Sequence, residues 1–429
     1  MDRADAGLHL TVYIVGAGLA GLSAAVALSQ KGVVVEIIEA SAHAGGRCRS
    51  YHDPVLDMML DNGNHFVLSG NHAAFGYLDA IGSRERMIGP SEATLDFLDR
   101  RDGARWTIRP NAGPIPWWLV SPNRRVAGTR LGEYLPLIKL IAPATDRTIE
   151  QVLPCTGVLW DRLIGPFLLG ALNTDPRQGS AALAGAVIRE SLARGGRAYC
   201  VRIAHPTLSA AFIDPALAFL QARGARVHFG RPARALSFAR DRVVGISTAE
   251  GDIPIGADDQ VIVAAPPWIA QALVPDLTAP DEFNTIVNGH FAFSPPAAAS
   301  PMVGVIGGTA EWVFAFADRL SVTVSGADHM ADDDREDLAR RFWSDIAAVH
   351  NLPLDPVPPY RIIKERRATF AATPAQDAKR PGAKTAWRNL ALAGDWTATG
   401  LPATIEGTIR SGNRAAGLAH EAQTTAVIG

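Results

Sequence analysis

Residues 10–22 read LTVYIVGAGLAGL, and this stretch decides the fold of the region around it. The apolar run Leu10–Val15 is typical of a buried strand, and the small, helix-favouring run Leu22–Lys31 is typical of a closely packed helix. Gly16 between them supplies the dihedral angles of a tight turn. Gly18 lets the backbone approach a ligand, and Gly21 lets the helix pack on the strand. The stretch therefore predicts a strand, a tight turn and a helix.

The next predicted strand ends in a carboxylate. Val33–Ile38 reads as a second buried parallel strand, and Glu39 follows it, 18 residues beyond Gly21. A carboxylate at this place accepts hydrogen bonds from both ribose hydroxyls, while the helix N-terminus faces the adjoining diphosphate. The pattern predicts a dinucleotide site, and a glycine-rich turn without a ligand is the alternative. The residues predicted to line the site are Gly16, Ala17, Gly18, Leu19, Ala20, Gly21 and Glu39.

The composition describes a globular chain of more than one unit. The chain has 429 residues, of which 48% are hydrophobic and 20% charged, so two or more domains are expected. A formal net charge of -2 creates no field that would gather polyanions, so nucleic acid is not expected as a partner. Cys48, Cys155 and Cys200 form no CxxC pair. We therefore expect a reducing, cytoplasmic compartment and neither a disulfide framework nor a metal site.

Neither export nor membrane crossing is expected. The N-terminus carries Asp2, Arg3 and Asp5, without the basic start and small-residue cleavage site of a secretory signal. The longest run without Asp, Glu, Lys or Arg is Phe283–Ala310, and its prolines and polar residues interrupt it. The sequence predicts no membrane-spanning helix.

Residues 40–47, ASAHAGGR, extend the first motif. This run resembles the large superfamily of FAD-dependent amine oxidases and phytoene desaturases, in which a Gly-Gly-Arg turn follows the ribose carboxylate. The resemblance implies that FAD is the cofactor, that Ala40 and Gly46 line it, and that Arg47 contacts its phosphates. An ordinary surface arginine in a glycine turn is the alternative for Arg47.

The resemblance returns near the C-terminal end. Asn389–Ala393 reads as a buried strand that leads into Gly394 and Asp395. By family analogy Asp395 binds the ribityl or phosphate part of FAD, and a helix beginning near Thr404 and Ile405 points its N-terminus at the flavin pyrimidine. The dipole of such a helix stabilises the negative charge of reduced flavin. A capped helix after a core strand is the alternative.

A middle block completes the resemblance and gives the predicted domain organisation. Short apolar strands alternate between residues 200 and 266, and superfamily members place such a unit beside the adenine, with a backbone contact near Ala233. The predicted fold is α/β, with a discontinuous Rossmann-type FAD-binding domain and an amine oxidase-like α+β substrate domain. The FAD-binding domain is predicted to comprise residues 1–68, 198–266 and 386–429, and the substrate domain residues 69–197 and 267–385.

Two apolar regions of the predicted substrate domain allow two interpretations each. Trp117 and Trp118, followed by several basic residues, are suited to dip into an anionic membrane surface. A core aromatic pair beside a solvated basic face is the alternative. Tyr134–Pro143 and Leu163–Leu172 are apolar enough to line a lipid tunnel, and core packing explains them equally well.

Within the superfamily the sequence resembles in particular the bacterial squalene-associated branch, the hydroxysqualene dehydroxylases of hopanoid biosynthesis. The runs that carry this resemblance are GGRCRS (45–50), DNGNH (61–65), IVNGH (286–290) and GDWTATGLPATIEG (394–407). It implies an oxidoreductase in which reduced flavin delivers hydride to hydroxysqualene, a long apolar isoprenoid, and the hydroxyl leaves as water to give squalene. An upstream isoprenoid synthase and a peripheral contact with the inner membrane are the partners that this implies.

Loss of the hydroxyl requires an acid, because hydroxide is a poor leaving group. By the family register the stretch Asp61–Phe66 runs beside the flavin, so that Gly63 and Asn64 line the cofactor. His65 is then the first candidate acid, with Asp61 as its candidate orienter. His290, on a predicted substrate-domain strand, is the second candidate. Packing roles for both histidines, and turn capping for Asp61, are the alternatives.

Departures from the amine oxidases narrow the chemistry. Those enzymes usually carry a lysine near the flavin and an aromatic cage, whereas the lysine-free stretch Thr285–Phe293 and Thr404 stand at the corresponding places here. No Cys lies between Leu390 and Gly429, which predicts noncovalent FAD. Two alternative functions stay open: a carotenoid or phytoene-type desaturase, and a flavin-binding scaffold that chaperones an isoprenoid synthase.

Overall fold

The computed structural model of the protein describes residues 10–428. Asp2, Arg3 and Asp5, on which the expectation of no export signal rests, lie outside these residues. The strands are β1 (Thr11–Val15), β2 (Val34–Ile38), β3 (Ser50–Asp53), β4 (Met58–Asp61), β5 (Phe66–Leu68), β6 (Met87–Ile88), β7 (Leu95–Asp99), β8 (Arg105–Ile108), β9 (Val201–Ala204), β10 (Arg226–His228), β11 (Ala233–Ala239), β12 (Arg242–Thr248), β13 (Gly251–Pro254), β14 (Gln260–Val263), β15 (Phe283–Phe291), β16 (Met302–Ile306), β17 (Trp312–Ala315), β18 (Leu320–Val324), β19 (Tyr360–Phe370) and β20 (Leu390–Leu392). The helices are α1 (Leu19–Ser29), α2 (His72–Ala80), α3 (Gly165–Leu172), α4 (Ala181–Glu190), α5 (Asp214–Ala222), α6 (Pro267–Leu273), α7 (Arg335–His350), α8 (Pro374–Ala378) and α9 (Ile405–Ile428).

A parallel sheet of order β10-β2-β1-β14-β20 carries the dinucleotide motif. Strands β14 and β20 are fully buried, β1 and β2 are mostly buried, and β10 at the edge is partly exposed. Helices α1 and α9 cover one face, and residues of the antiparallel sheet β11-β12-β13 share a core with β14. Ile14, Leu22 and Ile409 belong to the core between this sheet and its helices. Since β1, β2 and β20 are parallel, the loops after their carboxyl ends meet at one edge of the sheet. The predicted α/β dinucleotide fold is confirmed.

A second, mixed sheet has the order β19-β15-β18-β17-β16-β7-β8. Helix α7 covers one face, where Phe342 and Trp343 pack in one core with Val287 and Val322. Residues paired across neighbouring strands share a face of a sheet. Asn288, Thr323 and Trp312 are such partners, so they lie together on the face opposite α7.

The predicted domain boundaries remain a proposal, and one of them is affected by the packing of α2. This helix packs against α9, and the N–H groups of Ala73 and Ala74 donate to the Glu406 carboxylate at 3.1 and 2.8 Å. The packing favours moving the first boundary from residue 69 to beyond β6. Among residues 10–428, no helix has both the length and the apolar character needed to cross a membrane.

The apolar regions of the second unit divide between core and surface. Leu163, Leu168 and Leu172 are buried in the main core, which agrees with core packing for Leu163–Leu172. The stretch Tyr134–Pro143 lies largely in a 3-10 helix, Leu131–Leu140, which has a buried and an exposed side. Simple core packing therefore does not describe Tyr134–Pro143, and a role in lining a lipid tunnel stays a prediction.

Candidate active site

The turn between β1 and α1 has the geometry of a diphosphate cradle. Gly16 has φ +109°, and a Cβ there would lie 2.7 Å from the Ala264 carbonyl oxygen. A Cβ at Gly21 would lie 2.0 Å from the carbonyl oxygen of Gly16. A Cβ at Gly18 would meet no atom within 4 Å, and no side chain caps the N-terminus of α1 there. Gly16 and Gly21 are thus required by the fold, whereas Gly18 leaves space that fits a diphosphate at a helix N-terminus.

Glu39 lies beside this cradle at the end of β2. One of its carboxylate oxygens accepts from the Ala17 N–H at 2.6 Å, and the other accepts from the Ser41 N–H and hydroxyl, both at 2.8 Å. The N–H of Arg231 donates to the Glu39 carbonyl at 2.8 Å, which brings the segment before Ala233 to the same edge. A carboxylate held in this way fits the ribose of an adenine nucleotide. The contact of Ala233 with adenine stays a prediction.

The Gly-Gly-Arg turn lies across the first turn. The Gly45 N–H donates to the Ala17 carbonyl at 2.8 Å, and a Cβ at Gly46 would lie 3.5 Å from the Gly18 Cα. Arg47 is 40% exposed, and its Nη2 lies 2.7 Å from Oδ1 of Asp395. The ion pair joins two segments that are 348 residues apart. The structure thereby brings Arg47 and Asp395 together, and their contacts with FAD stay predictions.

The C-terminal segment is held by its own hydrogen bonds. The Gly394 N–H donates to the Ser411 hydroxyl at 2.9 Å, and Trp396 Nε1 donates to the Ala265 carbonyl at 3.0 Å. Thr404 accepts the Gly407 N–H at 3.1 Å and so caps α9, whose first helical residue is Ile405. The segment is a capped helix after a core strand, as one interpretation had it. This is compatible with a flavin at the helix N-terminus.

Arg380 supports this segment, although nothing in its local sequence indicates such a role. The side chain is almost fully buried, and Nη2 donates to the carbonyls of Asp395 and Thr397. Its Nη1 lies 2.9 Å from Oδ1 of Asp377, and burial lowers the pKa of the guanidinium. Within the basic run AKRPGAK the arginine reads as a surface residue. Only the fold shows that it fixes residues 395–397.

Asp61, the first residue of the 61–65 loop, contacts three other segments of the chain. Its Oδ1 accepts from the Ser50 hydroxyl at 2.6 Å and from the Leu208 N–H at 2.9 Å, and Oδ2 lies 3.5 Å from Nη2 of the buried Arg319. Burial raises the pKa of Asp61, and these partners oppose the increase. The carboxylate, predicted to orient His65, is therefore bonded elsewhere. It acts on His65 through its charge.

His65 is oriented instead by the carbonyl of Gly63, which lies 2.9 Å from Nδ1. A carbonyl oxygen only accepts, so Nδ1 carries the hydrogen, and Nε2 is the nitrogen that gains and loses a proton. Burial lowers the pKa of His65, as does the charge of Arg47, while the Gly63 bond and the charge of Asp61 raise it. The imidazole is thus suited to proton transfer at Nε2.

His290 has a different environment. It lies on β15 with 0% exposure, and Nδ1 is 2.9 Å from the Ser321 hydroxyl. Burial, together with the charge of Arg319, lowers its pKa to about 3, so the ring is neutral at neutral pH. A buried neutral ring has no proton to give in this range. The geometry favours His65 over His290 as the acid.

A chain of amide contacts joins the 62–65 loop to the second sheet. Asn64 Nδ2 donates to the Thr323 hydroxyl at 3.1 Å, and that hydroxyl donates to Asn288 Oδ1 at 2.7 Å. Asn62 Nδ2 donates to Glu365 at 3.3 Å. The runs that carry the family resemblance contained Asn288, but Thr323 and Glu365 lie in ordinary strand patterns that gave no signal. These contacts fix the backbone on which His65 is mounted.

A diphosphate cradle, a returning C-terminal segment and a mounted histidine define a two-domain flavin-dependent oxidoreductase. Residues 19–420 match the model of the flavin containing amine oxidoreductase family. The chain belongs to this family, and FAD is the cofactor that the cradle fits.

Comparison with similar proteins and solved structures agrees with this assignment. The chain is 50% identical over 409 residues to the hydroxysqualene dehydroxylase of Rhodopseudomonas palustris, covering 95% of this chain and 98% of that protein. It is 47% identical over 407 residues to the enzyme of the same name from Zymomonas mobilis, with the same two coverages. A putrescine oxidase structure superposes with a TM-score of 0.70 at 17% identity, covering 96% of this chain and 99% of that one. Cyclohexylamine oxidase from Brevibacterium oxydans gives a TM-score of 0.67 at 15% identity, with coverages of 96% and 99%.

Proposed function

We propose that the protein catalyses the FAD-dependent reductive dehydroxylation of hydroxysqualene to squalene in hopanoid and isoprenoid biosynthesis. The observation that carries this proposal is the 50% identity to a hydroxysqualene dehydroxylase, which extends over 98% of that relative. The site supports it, because the Gly-Gly-Arg turn lies across the cradle, and Arg47 of this turn is near enough to His65, the candidate proton donor, to lower its pKa.

The chain's own residues divide the work of cofactor binding. The N-terminus of α1 and Glu39 hold the adenine nucleotide end of FAD. Arg47, Asp395 and the N-terminus of α9 hold the rest of FAD, from the phosphates to the flavin ring. The cofactor is held noncovalently: Cys48, which follows Arg47, is buried, and burial raises the pKa of its thiol to about 12. A thiol in that state is a poor nucleophile. Reduced FAD supplies, when bound, the hydride that forms the new C–H bond.

His65 supplies the proton that the departing hydroxyl requires. As the C–O bond breaks, the proton on Nε2 moves to the departing hydroxyl, which leaves as water. The Gly63 carbonyl keeps Nδ1 protonated, so the imidazole returns to a defined neutral tautomer and regains its proton from solvent. The contacts of Asn64, Thr323 and Asn288 hold the loop, so that Nε2 would keep a fixed position toward the departing hydroxyl.

Aromatic side chains of the second sheet lie on the same face as the residues that hold this loop. Trp312 shares the sheet face of Thr323 and Asn288, and its ring lies 5.9 Å from that of Phe97. Gly304 makes room for Phe97, because a Cβ there would lie 2.5 Å from the ring. A long isoprenoid chain would pack toward these apolar side chains, with its hydroxyl at His65. An isoprenoid synthase that supplies the substrate and a peripheral site on the cytoplasmic face of the inner membrane complete the proposal.

The proposal is tested with anaerobically reduced holoenzyme and hydroxysqualene in deuterated water. Hydrogen on the reduced flavin nitrogen exchanges with solvent, so squalene with one deuterium at the carbon that bore the hydroxyl is expected by mass spectrometry. Oxidised holoenzyme is given phytoene in a parallel arm. Desaturated phytoene without any squalene would replace the proposal by the desaturase function, and no product in either arm would favour a scaffold.

A further inference from the structure

Large hydrophobic side chains are exposed in one short part of the chain. Seven of the fifteen that are exposed among the described residues lie within residues 115–141. Six of them form what we name the 115–138 face: Ile115, Trp117, Val120, Leu131, Leu135 and Ile138. Exposed apolar side chains are ordinary when scattered, whereas a contiguous patch marks an interaction site.

The two halves of the 115–138 face are adjacent in space. Trp118 and Tyr134 are buried and pack edge to face with their ring centroids 6.1 Å apart. Their sequence neighbours Trp117 and Leu135 are 67% and 65% exposed, so each half of the face has an exposed apolar residue next to this buried contact. The tryptophan pair thus divides into one anchoring residue inside the protein and one apolar residue outside it.

The helix Leu131–Leu140 is amphipathic with the period of a 3-10 helix. Tyr134 and Leu140 are turned inward, while Leu135, Ile138 and the following Ile141 recur every three residues and are exposed. A 3-10 helix has three residues per turn, so this spacing aligns the exposed side chains along one side. An apolar ridge faces solvent here although the interior side of the same helix is already packed.

The charge around the face is basic. Residues 109–147 contain six Lys or Arg residues and two acidic residues, in a chain whose net charge is -2. Arg130 and Lys139 are both exposed and lie at opposite ends of the helix. An apolar ridge with Trp at its edge and Lys and Arg around it is the arrangement that binds an anionic lipid surface.

The face is also fixed to the flavin-binding unit. A Cβ at Gly185 of α4 would lie 2.0 Å from the Leu140 carbonyl oxygen, so α4 touches the helix directly. Glu190, the last residue of α4, pairs with Arg410 of α9, which also bonds Glu406. Attachment of the face to a bilayer would therefore orient the whole molecule.

We infer that the 115–138 face binds the interfacial region of an anionic phospholipid bilayer, from which the enzyme takes its hydrocarbon substrate. The second clause rests on the proposed function, whereas lipid binding does not. Trp117, Leu135 and Ile138 enter the acyl boundary, and Arg130 and Lys139 contact the anionic headgroups.

The test is flotation of the holoenzyme with vesicles of phosphatidylcholine alone or mixed with phosphatidylglycerol. A triple variant, Trp117→Ser, Leu135→Ser and Ile138→Ser, should lose binding to both vesicles by at least about tenfold. The matched control, Val244→Ser, Ile269→Ser and Leu354→Ser, removes three exposed apolar side chains elsewhere and should bind like the unmodified protein. Arg130→Gln with Lys139→Gln should weaken binding to the anionic vesicles only, by about fivefold for each charge. The control Lys31→Gln with Arg240→Gln should change nothing.

Equal flotation of the triple variant and its control would overturn the inference. So would a self-association, measured by sedimentation without vesicles, that the triple variant abolishes, because the face would then join copies of the chain. Turnover of detergent-solubilised hydroxysqualene, which needs no bilayer, is expected to be unchanged in the triple variant. Loss of vesicle binding with retained turnover thus separates this inference from the proposed function.

Discussion

The nucleotide end and the ring end of the FAD site are built in different ways. The nucleotide end is local, because Gly16, Gly18, Gly21 and Glu39 come from one strand–turn–helix–strand unit. The ring end joins the 61–65 loop to Asn288, Thr323 and Glu365 from distant parts of the chain. Binding of the nucleotide therefore depends on backbone geometry, and the chemistry depends on long-range contacts.

The largest expected effect is at the ring end. His65→Ala should lower the rate of hydroxysqualene reduction by about 10²–10⁴-fold, the usual contribution of a general acid, with FAD content unchanged. Single-turnover kinetics of the reduced enzyme provide the measurement, and the exposed His52→Ala serves as control. His290→Ala should reduce stability and leave the rate per bound flavin nearly unchanged. An equal rate loss in the His65→Ala and His290→Ala proteins would contradict the distinction between the two histidines.

Removal of the anchor under the loop should mainly affect stability. Asp61→Ala leaves Arg319 buried and without this partner, which costs about 3–5 kcal/mol of unfolding free energy. Urea denaturation of the holoenzyme measures this loss. The control is Asp318→Ala, which removes the other, half-exposed carboxylate partner of Arg319 and should cost less than about 1 kcal/mol. Comparable losses for the two variants would show that Asp61 is not the anchor.

The nucleotide end is tested by a change that the fold itself tolerates. Gly18→Ala places a methyl group in the open cradle, so FAD should bind about tenfold more weakly, as expected for the loss of one hydrogen bond to a charged group. Melting of the apoprotein should hardly change. Gly76→Ala, where a Cβ also meets no atom within 4 Å, is the matched control and should bind FAD normally. Unaltered FAD affinity of the Gly18 variant would place the diphosphate elsewhere.

The smallest effect is the pH dependence of the ring end. Burial lowers the pKa of His65 below its usual 6.5. The protonated form of His65 therefore becomes scarce as the pH rises through this lowered pKa. kcat/KM should therefore rise as pH falls, with a slope of about tenfold per unit above the pKa of His65. The slope should disappear in the His65→Ala protein. A profile that rises with pH would instead indicate a catalytic base.

The sequence predicted what depends on neighbouring residues. The glycine turn, Glu39 and the buried strands follow from spacing alone, and β1 and β2 agree with the predicted strands to within a residue. The sequence could not show that Asp61 bonds Leu208 and Arg319, since those partners are 147 and 258 residues away. The sequence also contained no indication of the role of Arg380, because an arginine that becomes buried cannot be distinguished from a surface arginine until the rest of the fold is known.

The apolar segments show the same limit. Trp117 and Trp118 are identical neighbours in the sequence, yet one is exposed and the other is buried against Tyr134. Hydrophobicity alone predicted a membrane contact or a core pair, and the fold exposes one of the two residues and buries the other. Which side of a short helix faces the interior is decided by α4, at a distance of some 45 residues.

The most direct measurement of the central claim is an anaerobic titration of reduced holoenzyme with hydroxysqualene, followed by the visible absorbance of oxidised flavin. Hydride transfer predicts complete reoxidation at one equivalent of substrate per bound FAD, with one squalene formed for each flavin oxidised. Flavin that stays reduced while hydroxysqualene is recovered intact would contradict the account.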